Sequence, residues 1–254
     1  MKRFPAFACL LLLCASSCKK LEEAILKDPC SDIRFCNVSY FYYPGYSPGE
    51  TPNLAKFTYD AYGNPLTVKN SYVSTGYPDL VFRYDGFHRL QEFFRPYANG
   101  HFETWSKYFY DASGRIAFDT TYVFGSNVPH WPPADYVQAR RTTYKYDNTC
   151  RIIQTSTKGI GGPEDGFPAI VNSYSYDAAG NRVGSAVLYD HKVNIHRTNK
   201  VFMFVDRDYS MNNPFSAATY NGYLLPAHIG TGTSPSTYFL QRPIYNAVFS
   251  YACD

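Results

Sequence analysis

The sequence predicts an all-β fold: a long antiparallel meander of short hairpins, twisted and curled into a half-barrel or an open sandwich. Three observations predict it. First, the 254-residue chain contains 25 Tyr and 19 Phe but only ten leucines after Cys18, a strand-forming composition broken by 17 Gly and 17 Pro. Second, aromatic residues alternate along short runs such as Phe57-Thr58-Tyr59 and Tyr108-Phe109-Tyr110, the period of a strand with one aromatic face. Third, a Tyr-Asp dipeptide closes five such runs, at Tyr59-Asp60, Tyr84-Asp85, Tyr110-Asp111, Tyr146-Asp147 and Tyr176-Asp177, with spacings of 25, 26, 36 and 30 residues. Two strands per copy, with flanks at 33–43, 201–205 and 247–251, make on the order of a dozen strands, and an open sheet that wide curls or folds over.

Length and composition suit one globular domain with a sizeable core. The formal net charge is +3, of which Lys2 and Arg3 supply two, so the remainder lacks the basic footprint of a nucleic-acid binder. The elements then follow in chain order. Lys2 and Arg3 form a basic start, 4–14 an apolar run too short to span a membrane, and Ala15, Ser16 and Ser17 a small-residue end, which is the pattern of a secretory leader over 1–17. Ala15-Ser16-Ser17-Cys18 resembles the lipobox of bacterial lipoproteins, with alanine in place of the usual leucine. That resemblance implies lipidation at Cys18 and a membrane anchor, because several acyl chains hold a protein durably to a bilayer. Lys19, Lys20, Leu21, Glu22 and Glu23 look like the surface-export signal of Bacteroidota lipoproteins, implying an outer-membrane lipoprotein facing outward. Residues 18–31 are then a tether, with one helical turn expected over 21–26, and 32–254 a single β domain.

Four cysteines lie beyond the tether's start: Cys30, Cys36, Cys150 and Cys253. In an oxidising compartment four cysteines predict two disulfides. Of three possible pairings the favoured one joins Cys30 to Cys36 across a short loop and Cys150 to Cys253 at the C-terminus. No Cys-x-x-Cys pair points to a metal.

Within the repeats, Gly63, Gly114 or Gly180 stands three residues after the Asp, followed by Asn64, Arg115 or Asn181. Asp is expected to open a type I turn by accepting hydrogen bonds from backbone amides, and Gly to close it with a positive φ. The pattern Tyr-x-Tyr-Asp-x-x-Gly-[Arg/Asn], covering 57 to about 190, resembles the YD (RHS) repeat. Residues 189–215 are similar to the C-terminal half of YD-repeat lipoproteins of unknown function. In large RHS proteins this resemblance implies a spiral of stacked hairpins enclosing a toxin, and five copies are too few for that closed shell. His88 and Cys150 occupy the glycine place in two copies. Those hairpins lack the residue that favours a left-handed turn, and a disulfide at Cys150 would account for one of them.

The chemistry-bearing patterns are weak. The Tyr-Asp pairs read as scaffold because they recur with the hairpin. Gly45-Tyr46-Ser47-Pro48-Gly49 matches a hydrolase nucleophile elbow, but Pro48 has no N–H for an oxyanion hole. Asp206, Asp208, Ser210 and Asn212 have the alternating spacing of a calcium loop, without its glycine or its final glutamate. His191 and His196 would face opposite sides of a strand. Glu92, Glu103 and Glu164 supply carboxylates for glycoside cleavage, with nothing to select a pair. The glycine runs at 159–163 and 230–233 precede no helix and read as loops. Asp119-Thr120-Thr121 looks like a bacterial O-glycosylation motif. The aromatic surplus remains, and Trp105, Trp131, Tyr42 and Tyr43 are the expected platform for a sugar or an extended peptide. The expectation is a binding module without cofactor for a glycan or an envelope protein, with a passive envelope scaffold second and a carbohydrate-active enzyme third.

Overall fold

The computed structural model describes residues 32, 36–44, 51–126, 131–162, 164–184, 188–230 and 238–253. The expected leader over 1–17, Cys18, 19–23, the expected turn at 21–26, Cys30 and the 45–49 motif lie outside the described residues. Thirteen strands form one open antiparallel sheet. Ten of them meander in sequence order: β1 (Cys36–Tyr43), β2 (Asn53–Tyr59), β3 (Pro65–Asn70), β4 (Leu80–Tyr84), β5 (Leu90–Pro96), β6 (His101–Tyr110), β7 (Ile116–Ser126), β8 (Tyr136–Tyr146), β9 (Ile152–Gly159) and β10 (Ile170–Ser173). The C-terminal strands β11 (Thr219–Tyr220), β12 (Pro226–His228) and β15 (Val248–Cys253) extend the sheet beyond β1, in the order β1-β15-β12-β11. β13 (Tyr238–Phe239) and β14 (Arg242–Pro243) pair separately.

The Tyr-Asp chemistry builds the hairpins as the spacing predicts. At the first, the Asp60 carboxylate accepts the backbone N–H groups of Tyr62 and Asn64, both at 2.8 Å, while the Gly63 N–H returns to the Asp60 carbonyl at 3.1 Å. Gly63 closes the turn with φ 76°. Asp85, Asp111 and Asp147 repeat the bonds to residues two and four further on. His88 and Cys150 nevertheless adopt the left-handed conformation, with φ 59° and 60°. The network around each Asp outweighs a steric cost of roughly 1–2 kcal/mol.

Each repeat tyrosine also ties its hairpin to the preceding one. The hydroxyls of Tyr84, Tyr110 and Tyr146 donate to the carbonyls of Pro65, Leu90 and Ile116, at 2.8, 2.7 and 2.8 Å. Every acceptor lies six residues after the preceding repeat's tyrosine, so the stitch has the period of the repeat. The arginine after the turn completes the unit. Arg89 pairs with Asp85 and lies 4.2 Å over the Tyr110 ring, and Arg151 pairs with Asp147 and lies 4.2 Å over Tyr176.

The C-terminal part departs from expectation in three places. Val201–Val205, expected as a strand, belongs to a helix, α1 (Lys200–Asp206). Asn199 caps it by accepting the Val201 N–H, and Arg207 ends it at φ 55°. Its residues from Val201 to Val205 are all buried, and a helix apolar all round is stable only when enclosed. Second, the disulfide joins Cys36 to Cys253, and Cys150 is free and exposed. The favoured pairing therefore fails at both bonds, because β15 returns antiparallel to β1 and places Cys36 directly opposite Cys253. Third, the β11–β12 hairpin is a further copy of the turn. Asn221 accepts the N–H groups of Tyr223 and Leu225, Leu224 takes the left-handed place at φ 62°, and the Tyr251 hydroxyl donates to the Pro226 carbonyl. Asn in place of Asp and Leu in place of Gly conceal it in the sequence.

One face of the sheet carries the main core. Phe41, Phe57, Phe82, Phe93 and Tyr108 pack there against Phe202, Met203, Phe204 and Phe239. Phe57 meets Phe202 edge-on with ring centroids 5.9 Å apart, and Phe202 meets Phe239 at 5.3 Å. Helix α1 and the β13–β14 loop thus roof the inner face, and each buried phenylalanine contributes roughly 1.5–3 kcal/mol.

Candidate functional site

From β6 to β10 the inner face changes character. Alternate positions that hold aromatics in β2, β4 and β5 hold hydroxyls here. Register sets Ser106, Thr121 and Arg140 in one row, and Tyr108, Asp119, Thr142, Thr157 and Ile170 in the next. With Phe204, Val205 and Arg207 from the end of α1, these residues line an open cavity of about 360 Å³. The lining combines polar groups at fixed spacing with an apolar margin, within the size range of small-molecule sites.

Asp119 stands in its floor. It is 3% exposed and receives hydrogen bonds from Thr121 Oγ1 at 2.6 Å and Tyr144 Oη at 2.5 Å. Burial pushes its pKa up, against those two bonds and the nearby charges of Arg207 and Arg140. Thr121 extends the network to Ser106 at 2.7 Å. Thr121 and Ser106 are therefore oriented from below, while Thr142 and Thr157 bond each other at 3.1 Å. Asp119 is the only carboxylate among the described residues lining the cavity, and both its oxygens are engaged, so it has no partner with which to share acid and base roles.

The residues selected from sequence lie elsewhere. Trp105 is 2% exposed, donates its indole N–H to Glu92 at 3.1 Å, and packs with Phe94 and Phe102 on the opposite face of the sheet. Trp131 sits half-buried against it at 5.4 Å and against Tyr122 at 4.8 Å. The two tryptophans meet, but as a second small core instead of an open platform. Tyr43 is buried and stacks on Tyr77, while Tyr42 points from the other side of β1 and is exposed. No single surface gathers the four.

The calcium-loop spacing is consumed internally. Asp206 accepts from the Leu240 and Gln241 N–H groups and bonds His196 Nε2 at 2.8 Å. Asp208 accepts the Ser210 N–H, Ser210 Oγ accepts the Arg182 N–H, and Asn212 donates to the Lys192 carbonyl. Among the described residues no group of three His, Cys, Asp or Glu side chains is placed to hold a metal. Glu92 pairs with Arg83 and Glu103 with Arg95, so both are tied into the strands that carry them. Asp119 and Thr120 are buried within β7, and the glycosylation motif is not presented to solvent. Sequence reasoning missed the inner-face cavity. Its available signal was hydroxyl-bearing residues at alternate positions, Thr142 with Tyr144 and Thr155 with Thr157, in strands expected to be aromatic on one face. No family model matches the chain, and no curated protein matches it.

Proposed function

We propose that this protein is a non-enzymatic glycan-binding module, exported as an outer-membrane lipoprotein through Cys18 and built from hairpins of the YD-repeat type. The observation that carries the binding reading is the cavity over β6–β10. Rows of Ser and Thr hydroxyls, with Thr121 and Ser106 held through Asp119 and Thr142 held on Thr157, match the donors and acceptors of a polyhydroxylated ligand at little ordering cost. The basic start, apolar run and Cys18 support export and anchoring, and the recurrent Asp turns and tyrosine stitches support kinship with YD repeats. The proposed site differs from the expected aromatic platform in both place and chemistry, with hydroxyls in the position of ring faces and none of Trp105, Trp131, Tyr42 and Tyr43 in its lining.

A second reading, an envelope-protein partner, has one observation in its favour. The edge strand β10 is exposed along its length, with Ile170 and Val171 showing 66% and 55% of their surface. A thermal-shift screen against oligosaccharides and envelope fractions separates the two, because a ligand that prefers the native state raises the melting temperature. The glycan reading predicts a dose-dependent rise with an oligosaccharide, lost in Thr157→Phe, which fills the cavity. A shift with protein fractions alone, unchanged in that variant, contradicts it.

A further inference from the structure

We propose that the saccharide held in the inner-face cavity is acidic, a chain of uronic acid residues whose carboxylate pairs with Arg140. The inference rests on the glycan reading and adds the ligand's charge. Arg140 projects from β8 between Thr121 of β7 and Gly159 of β9 in the sheet register and lines the cavity. It makes no hydrogen bond or ion pair with the described residues. Its neighbour Arg141, on the other face, by contrast lies 4.8 Å over the Phe118 ring. A guanidinium whose N–H groups make no hydrogen bond or ion pair, in a partly enclosed site, is a receptor for a planar anion, because its fork of donors matches both oxygens of a carboxylate.

A second guanidinium stands across the cavity. Arg207, at the end of α1, is anchored by Tyr144 and Tyr174 and faces Asp119 electrostatically. Two positive charges, Arg207 and Arg140, thus act on one carboxylate, which already receives two hydroxyl donors from below. Glu164 passes its backbone over Gly159, the register neighbour of Arg140. It is exposed and forms no ion pair with Arg140, so it does not neutralise the site. The cavity offers hydroxyl partners along the floor and, with two guanidinium groups against one carboxylate, an excess of one positive charge for the ligand's acid group. A neutral sugar leaves that charge unmatched, and a uronic acid satisfies it.

The test is calorimetric titration of the full-length protein in detergent with trigalacturonate and with a neutral trisaccharide of the same length. The acidic trimer is expected to bind about tenfold more tightly, the scale of one charge-assisted hydrogen-bonded pair. Arg140→Gln is expected to remove that preference, so that the two trimers bind the variant with equal affinity. Arg140→Lys, which keeps the charge without the fork, retains part of it. A melting curve of each variant verifies the fold. Equal affinity for the two trimers, or a preference that survives Arg140→Gln, overturns the acidic assignment while the glycan reading stands. If neither trimer binds while another oligosaccharide does, the acidic assignment is overturned and the glycan reading stands; if no oligosaccharide binds, both are overturned.

Discussion

The repeated hairpins between Asn53 and Tyr176 and the C-terminal segment from Leu188 onward are stabilised in opposite ways. In the hairpins each unit carries its own turn chemistry and one hydroxyl stitch to its predecessor, so the bonds that shape a unit are local or reach one repeat back. The C-terminal segment has few local determinants. It is held by Phe202 and Phe239 packed on Phe57, by Arg95 donating to Gln241 at 2.8 Å, and by a disulfide across 217 residues. The difference teaches where specificity resides. A stitched repeat tolerates loss of one unit, whereas the roof stands or falls as a whole, and the candidate site lies where the two meet.

The comparison is broken most severely at the roof. Phe202→Ala is expected to cost about 3–5 kcal/mol, because it opens a cavity between α1 and the sheet that the surrounding rings cannot refill. Urea unfolding measures it, and a loss under 1 kcal/mol would mean that α1 is not the keystone. Next, Cys253→Ser removes the long-range closure and is expected to cost about 2–5 kcal/mol. Cys150→Ser, at the free exposed thiol, is expected to leave the unfolding midpoint unchanged, whereas the pairing first favoured from sequence requires the two variants to behave alike.

Within the repeats the effects shrink. Tyr110→Phe leaves the Leu90 carbonyl without its hydroxyl and is expected to cost about 1 kcal/mol, with the neighbouring hairpins intact by amide exchange. Cys150→Gly relieves a left-handed non-glycine residue and is expected to raise stability by about 0.5–1 kcal/mol, since the relief exceeds the greater chain entropy of glycine.

The smallest effect is a pH slope. His196 is buried; burial opposes its charged form, but the hydrogen bond to Asp206 and the charges of Asp208 and Asp206 outweigh it and raise its pKa above 6.5. A raised histidine pKa gives stability that is fully present below the unfolded value and lost as pH rises through the folded one. The unfolding midpoint is therefore expected to fall as pH rises above about 6.5. In His196→Gln that fall should be shallower, and an unaltered slope would remove His196 from the roof's electrostatics.

The same division explains what was legible in the sequence. Hairpins were readable because Tyr, Asp and Gly at fixed offsets each dictate a backbone state, and the period of two marks the buried face. Val201–Val205 was not, because β-branched and aromatic residues favour strands until a cap at Asn199 and burial on all sides select the helix. The Cys36–Cys253 bond was hidden because nothing local shows that the last strand returns to the first. At the site, Thr142 and Thr157 read as ordinary strand formers and Asp119 as part of a modification motif. Their meaning depends on register across five strands, which no single segment displays. Trp105 and Trp131 attracted attention by residue type, yet a large aromatic in a chain with few aliphatics is needed first for packing.

The most direct test is a crystal structure of the protein soaked with the oligosaccharide that gives the largest thermal shift. The account predicts sugar density on the inner face, with ring hydroxyls within 3.2 Å of Thr121, Thr142 or Thr157 and the acid group on Arg140. Density on the opposite face beside Trp131, or along the β10 edge with the inner cavity empty, would contradict it.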